Sequence, residues 1–398
     1  MKKALFFILK AILSVIILLI ISVWAFVTFA PTFGDVATGE SLEKIKNSKN
    51  FNGEIFVNLV ETKLDTRDPQ SGESMLSSML RFFTGPADKT PLIPLPSQKF
   101  NASKMENGSF VWFGHSTILM KTNGVVILCD PVFNQASPIP GTVEPFEMEQ
   151  ENKLADLPEK IDIVLISHDH YDHLDYEAIQ DLDSRVESFY VPLGLKAHLL
   201  KWGIIPDKIV EMDWYENTTQ NGVSLTMTPS RHFSGRGLTN QFSTLWCSWV
   251  IKSPDLKVFF NGDSGYFDEF KTIGEKYGPF DIAFMENGAY DKDWAEIHML
   301  PEESVQASLD LQSKIMFPIH WGKFDLASHV WDEPIIRASN EAKLKNVNIA
   351  TPLIGEVFTL ENIPTQKWWE MVRKMQKRQI NYYKTGFLFK KPFQKNCF

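Results

Sequence analysis

The chain has 398 residues, 44% hydrophobic and 22% charged, a balance that builds an ordinary globular core and excludes both wholesale disorder and a disulfide-stapled miniprotein. Its 40 Lys and Arg against 49 Asp and Glu leave a net charge of −9, which argues against nucleic acid as a partner. Three cysteines, Cys129, Cys247 and Cys397, are too few and too scattered for a disulfide framework or a thiolate zinc site.

In chain order, the first feature is Lys2-Lys3 followed by an apolar run in which no residue from Ala11 to Ala30 is charged. About 20 apolar residues span a bilayer core as a helix, whereas the apolar region of a cleaved signal peptide normally runs about 7–15 residues. Ala30 is also followed by Pro31, a poor context for cleavage. Residues 1–30 are therefore expected as an uncleaved single-pass membrane anchor, with a cleaved signal peptide as the alternative. Lys2 and Lys3 precede the span while Asp35 and Glu40 follow it, so the positive-inside bias leaves the N-terminus cytoplasmic and the catalytic domain extracytoplasmic.

Residues 31–100 show little periodicity and read as a connector, its prolines Pro91, Pro94 and Pro96 suggesting an extended approach to the main domain. From 101 to 360 the pattern is that of one α/β domain. Strands are expected at Phe110–Phe113, Ile118–Lys121, Val125–Leu128, Ile161–Ile166, Phe189–Val191, Val223–Met227, Leu245–Ile251, Val258–Phe260, Ile282–Met285 and Ile315–Phe317. Helices are expected at Tyr176–Leu182, Leu193–Lys201 and Pro301–Leu311, the last with Pro301 and two glutamates in its first turn. Early hairpins followed by strand–helix alternation imply a layered sandwich. Residues 361–398 form a basic, aromatic tail, read either as an amphipathic helix packed on the domain or as a surface for anionic lipid headgroups.

Chemistry concentrates in Ser167-His168-Asp169-His170-Tyr171-Asp172-His173, directly after an expected strand. Zinc takes His nitrogen and Asp oxygen at about 2.0–2.2 Å, and so dense a cluster can serve two ions, His168 and His170 facing one and Asp172 and His173 the other. His232, Asp263 and His320 each lie just past another expected strand. Strand C-termini form the usual site crevice of an α/β sheet, so these residues are expected to join the cluster, with the Asp263 carboxylate able to bridge two ions.

These residues resemble the metallo-β-lactamase-fold hydrolases, which carry the His-x-His-x-Asp-His motif found at 168–173. The resemblance is closer to one branch, the N-acylphosphatidylethanolamine-hydrolysing phospholipase D family and its bacterial relatives. It rests on Trp112-Phe-Gly-His-Ser-Thr117, Asp130-Pro-Val-Phe133, His232-Phe-Ser-Gly-Arg-Gly237, Gly262-Asp-Ser-Gly265, His298-Met-Leu-Pro-Glu-Glu303 and His320-Trp-Gly322. It covers roughly 100–360 and includes neither the anchor nor the tail.

The resemblance implies an αββα sandwich with two zinc ions, manganese or iron being alternatives. One ion would be held by His168, His170 and His232 and the other by Asp172, His173 and His320, with Asp263 bridging and acting in catalysis. His115 and His298 are expected as further catalytic residues of the pocket, Asp130 as a partner that orients a ligand histidine, and Arg231 and Arg236 as phosphate-binding residues. The implied reaction is phospholipase D-type cleavage of a membrane phospholipid, N-acylphosphatidylethanolamine, to phosphatidic acid and an N-acylethanolamine. A zinc-dependent lactonase acting on a sugar-phosphate or other lactone is the rival enzyme, and a non-catalytic anchored binding protein the rival from another class. A homodimer is a further expectation from the family.

Overall fold

The computed structural model describes residues 2–70, 72–86 and 88–384. Thirteen strands and nine α-helices are found among them. Helix α1 (Lys2–Phe29) is long and apolar enough to cross a membrane, and none of it is buried against the rest of the protein. At a rise of about 1.5 Å per residue its 28 residues exceed the roughly 30 Å hydrocarbon core. The same features fit a membrane anchor and an export signal.

The segment expected as a connector instead packs on the domain. It carries α2 (Gly39–Asn47) and α3 (Met75–Phe83), and it buries Ile45, Phe56 and Leu95 in the main core.

Two mixed sheets follow. The first runs β13 (Val357–Thr359), β1 (Ser109–Trp112), β2 (Ile118–Thr122), β3 (Val125–Cys129), β4 (Ile161–Leu165), β5 (Val186–Pro192) and β6 (Ile209–Met212). It is antiparallel from β13 to β3 and parallel from β3 to β6. The second runs β12 (Met316–Ile319), β11 (Ile282–Glu286), β10 (Lys257–Phe260), β9 (Ser248–Lys252), β8 (Val223–Thr228) and β7 (Asn217–Gln220), parallel only from β10 to β12.

Alternation along the strands builds the layers. Phe110 and Trp112 of β1 and Val258 and Phe260 of β10 point into the space between the sheets. Their neighbours Val111 and Phe259 point outward, Val111 toward the side of α4 (Tyr176–Leu182) and α5 (Lys196–Lys201). Phe259 packs with α6 (Glu269–Tyr277), α7 (Pro301–Asp310) and α8 (Glu333–Lys345). Both faces of every central strand are therefore dry, at about 1.5–3 kcal/mol for each large apolar side chain buried. This is the expected αββα sandwich. Helix α9 (Trp368–Lys384) seats Trp368, Trp369 and Val372 in the inter-sheet core, so the start of the basic tail packs on the domain. Residues 385–398 of that tail lie outside the described residues.

Candidate metal centre

The strands end together, and the polar residues just past their C-termini meet. Asp130 follows β3, the 167–173 loop follows β4, and Glu286 closes β11. Backbone strain marks the place: His115, Asp130 and His320 adopt positive φ of 52°, 40° and 67°, a region a non-glycine residue occupies only when its surroundings enforce it. Gly288 makes room, since a Cβ there would stand 1.9 Å from the His320 carbonyl oxygen.

Three histidines form one group. His170 Nδ1 lies 2.9 Å from His168 Nε2 and 3.2 Å from His232 Nε2. Ligand nitrogens sharing a tetrahedral ion with bonds of 2.0–2.1 Å are about 3.3 Å apart, so the spacing suits a common ion. The far nitrogens are engaged: His168 Nδ1 meets Ser167 Oγ at 2.9 Å, and His232 Nδ1 donates to the Ile297 carbonyl at 2.9 Å. Burial pushes all three imidazoles down, His168 and His232 well below the usual histidine range, which leaves lone pairs facing inward.

The second group mixes carboxylates and histidines. His320 Nε2 is 3.1 Å from Asp263 Oδ2 and 3.3 Å from Asp172 Oδ2, and His173 Nε2 is 3.2 Å from Asp263 Oδ1. Asp130 accepts from Ser167 N and Ser167 Oγ and binds His173 Nδ1 at 2.7 Å, which aims His173 Nε2 at the centre. Burial alone would raise the two carboxyls. His173, seconded by His115 and His320 at Asp172 and by His320 at Asp263, instead holds both well below the usual carboxylate range. Burial likewise would lower His320, yet Asp263 and Asp172 carry it up to about 10. Two buried carboxylates thus favour positive charge at this group. His173 Nε2, His320 Nε2 and Asp263 Oδ1 are buried without hydrogen-bond partners, and a cation among them would satisfy all three. The donor set fits a divalent metal.

The remaining expected residues divide. His298 lines the adjoining cavity of about 440 Å³ and binds Glu286 Oε1 through Nδ1 at 2.5 Å. His115 does not line that cavity. Burial drives it down to about 3, and its neutral ring donates from Nε2 to Asp172 at 2.9 Å and packs on the His320 ring at 4.0 Å between centroids, so it meets the centre by orienting Asp172 and backing His320. The expected phosphate-binding arginines are corrected more fully. Arg236 is buried over the Tyr171 ring, donating to the carbonyls of Thr32, Asp169 and Leu174. Arg231 donates to the Glu61 and Tyr266 carbonyls, Thr62 Oγ1 and Glu296. A guanidinium committed to backbone carbonyls cannot fork onto a phosphate without leaving them unpaired.

Arg236 belongs to a latch that sequence reasoning did not find. The stretch just past α1 docks on the metal loop: Trp202 Nε1 donates to the Pro31 carbonyl, Phe33 packs edge-on to Tyr171, and Asp35 N donates to His198 Nδ1. His198 Nε2 in turn lies 3.3 Å from Asp169 Oδ2. Asn58 accepts from His232 N and donates to its carbonyl. Glu286 and Ser167 were missed too, although both sit at a strand's C-terminal end, the signal that singled out Asp263.

Comparison with known proteins agrees with this geometry. Residues 126–321 match the family described as the beta-lactamase superfamily domain. An uncharacterized protein of Mycobacterium tuberculosis is 37% identical over 82% of this chain and 88% of its own length. The N-acyl-phosphatidylethanolamine-hydrolyzing phospholipase D 1 of Caenorhabditis elegans is 33% identical over 69% of this chain and 83% of its own. In fold, the chain resembles the crystal structure of a possible metal-dependent hydrolase from Veillonella parvula, at a TM-score of 0.50 and 17% identity over 64% of this chain and all of that one. The chain belongs to the metallo-β-lactamase superfamily as a metal-dependent hydrolase, related at moderate identity to proteins named for N-acylphosphatidylethanolamine hydrolysis.

Proposed function

We propose that the protein is a membrane-anchored phospholipase D-type phosphodiesterase that cleaves N-acylphosphatidylethanolamine to phosphatidic acid and an N-acylethanolamine. His168, His170 and His232 would hold one zinc ion and Asp172, His173 and His320 a second, with Asp263 shared. Bound metals supply a lowered water pKa and neutralisation of charge on the phosphoryl oxygens. Asp263 orients the attacking water and accepts its proton. His298, held by Glu286, stands at the cavity wall where it can deliver a proton to the leaving alkoxide. Asp130 and His115 keep His173 and Asp172 in register.

The observation that carries the lipid reading is the cavity's two-sided lining. Its floor is His170, Asp172, Asp263 and His320, while Leu64, Phe233, Trp294 and Leu326 make an apolar wall. Among the described residues lining it there is no Arg or Lys. A phosphodiester flanked by hydrocarbon suits such a wall. A sugar-phosphate lactone, with hydroxyls to satisfy, does not.

The test is product analysis by mass spectrometry after zinc-loaded protein meets vesicles containing N-acylphosphatidylethanolamine. Phosphatidic acid and N-acylethanolamine are expected from the parent chain and neither from Asp263→Ala. A metal-loaded parent that yields no product would overturn the assignment.

A further inference from the structure

Helix α3 is amphipathic with its faces reversed. In a helix lying on a soluble domain the apolar face packs inward. Here Ser78 and Arg81 face the protein and bind the Asp293 carboxylate, and Arg81 also reaches Asp291 at 3.4 Å. Met75, Leu76, Met79 and Leu80, one stripe at helical spacing, are instead 54–68% exposed. Ser74 caps the N-terminus by accepting from Ser77 N, so the stripe is presented by a formed helix. An exposed apolar patch on a well-anchored element marks an interaction site.

Its position says what covers it. Asp291 caps the short turn Lys292–Trp294 and Asp293 lies within it, and Trp294 lies in the cavity wall, its indole donating to the Ala289 carbonyl. The stretch leading to α3 supplies Leu64 to the same wall, and its Leu59 and Val60 are exposed directly after Asn58, which brackets His232. Phe33, just past the end of the membrane-length helix α1, packs on Tyr171, between the cavity residues His170 and Asp172. The anchor's exit and the apolar stripe thus flank one cavity mouth.

We propose that α3 is an interfacial helix, seated in the headgroup layer of the bilayer that α1 crosses, so that the cavity opens against the membrane at two fixed points. The proposal rests on reading α1 as a retained anchor. A second, shallow contact would stop the domain swinging on a single tether and hold the cavity at the depth of a phosphodiester.

The test uses the full-length chain with Cys397→Ser, reconstituted in phosphatidylethanolamine and phosphatidylglycerol liposomes. Cys129 and Cys247 are buried, so a nitrobenzoxadiazole label reports Met79→Cys, Leu13→Cys or Asp255→Cys alone. Asp255 is exposed in the turn between β9 and β10, at the far end of those strands from the site. At position 79, blue-shifted emission quenched by lipids brominated near the headgroup is expected. Position 13 should be quenched by deeply brominated lipids and position 255 by neither. Quenching at 13 without quenching at 79 would overturn the proposal and leave the anchor standing. Loss of quenching at both would overturn the anchor reading and the proposal with it. A blue shift at 79 that lipids do not quench and dilution abolishes would assign the face to a second copy of the chain, again overturning it.

Discussion

The two donor groups share one loop, yet they solve the protonation problem in opposite ways. His168 and His232 are steered by neutral atoms, Ser167 Oγ and the Ile297 carbonyl, and burial lowers all three imidazoles of their group. His173 and His320 are surrounded by Asp130, Asp172 and Asp263, and they gather protons to compensate the carboxylates. The first group offers neutral lone pairs, with the Asp263 carboxylate 3.7 Å from His232 and 3.8 Å from His168. The second carries buried negative charge and is satisfied only by a cation, whether protons or metal.

The largest expected effect separates the groups directly. Asp130→Ala removes the carboxylate bonded directly to His173 and touches the three-histidine group only through the Ser167 hydroxyl, which links Asp130 to His168. Turnover should fall about 10–100-fold with the metal of the three-histidine group retained, as checked by kinetics and metal content on one preparation. Equal loss from both groups would show them to be one unit.

The latch behind His170 is the next probe. Gly34 has φ of +71°, and a Cβ there would stand 2.1 Å from His198 Nδ1. Gly34→Ala should separate Asp35 from His198, loosen Asp169 beside the first group, and lower stability by about 2 kcal/mol in thermal unfolding of the detergent-solubilised chain. An unchanged melting temperature would mean that the docked stretch is not held by this contact.

A pH-dependent probe is the buried ammonium of Lys323, which forms no salt bridge among the described residues. Lys323 donates to the Phe113 and Val132 carbonyls, and burial pulls it down to about 8 from 10.5. Between those values the unfolded chain binds more protons than the folded one, so stability should rise as pH climbs from 8 toward 10.5. The slope amounts to about 1 kcal/mol per pH unit. Lys323→Met should flatten the climb of melting temperature over that window. An identical slope in the variant would contradict the assignment.

Much of the centre was legible because metal chemistry restricts residue types tightly. The 167–173 loop, His232, Asp263 and His320 stand out as polar groups just past apolar strands, and all of them converge. Arg231 and Arg236 were misread for the opposite reason. A guanidinium looks the same in sequence whether it meets a phosphate or a backbone carbonyl, and only tertiary burial decides. Several elements also carry little local signal. Strand β7 reads Asn-Thr-Thr-Gln on a sheet edge, and β13 has three residues. Helix α8 buries mainly Ile335 and the small residues Ala338 and Ala342, which make a faint apolar stripe. Helix α3 has its stripe at helical spacing, but at nine residues it is short and lies in a segment whose prolines and weak periodicity read as a connector.

Metal content tests the two-group centre most directly. Inductively coupled plasma mass spectrometry of the full-length chain, beside His170→Ala and Asp172→Ala, should give two metal ions per chain for the parent and one for each variant. One ion in the parent, or the loss of both from either single variant, would contradict it.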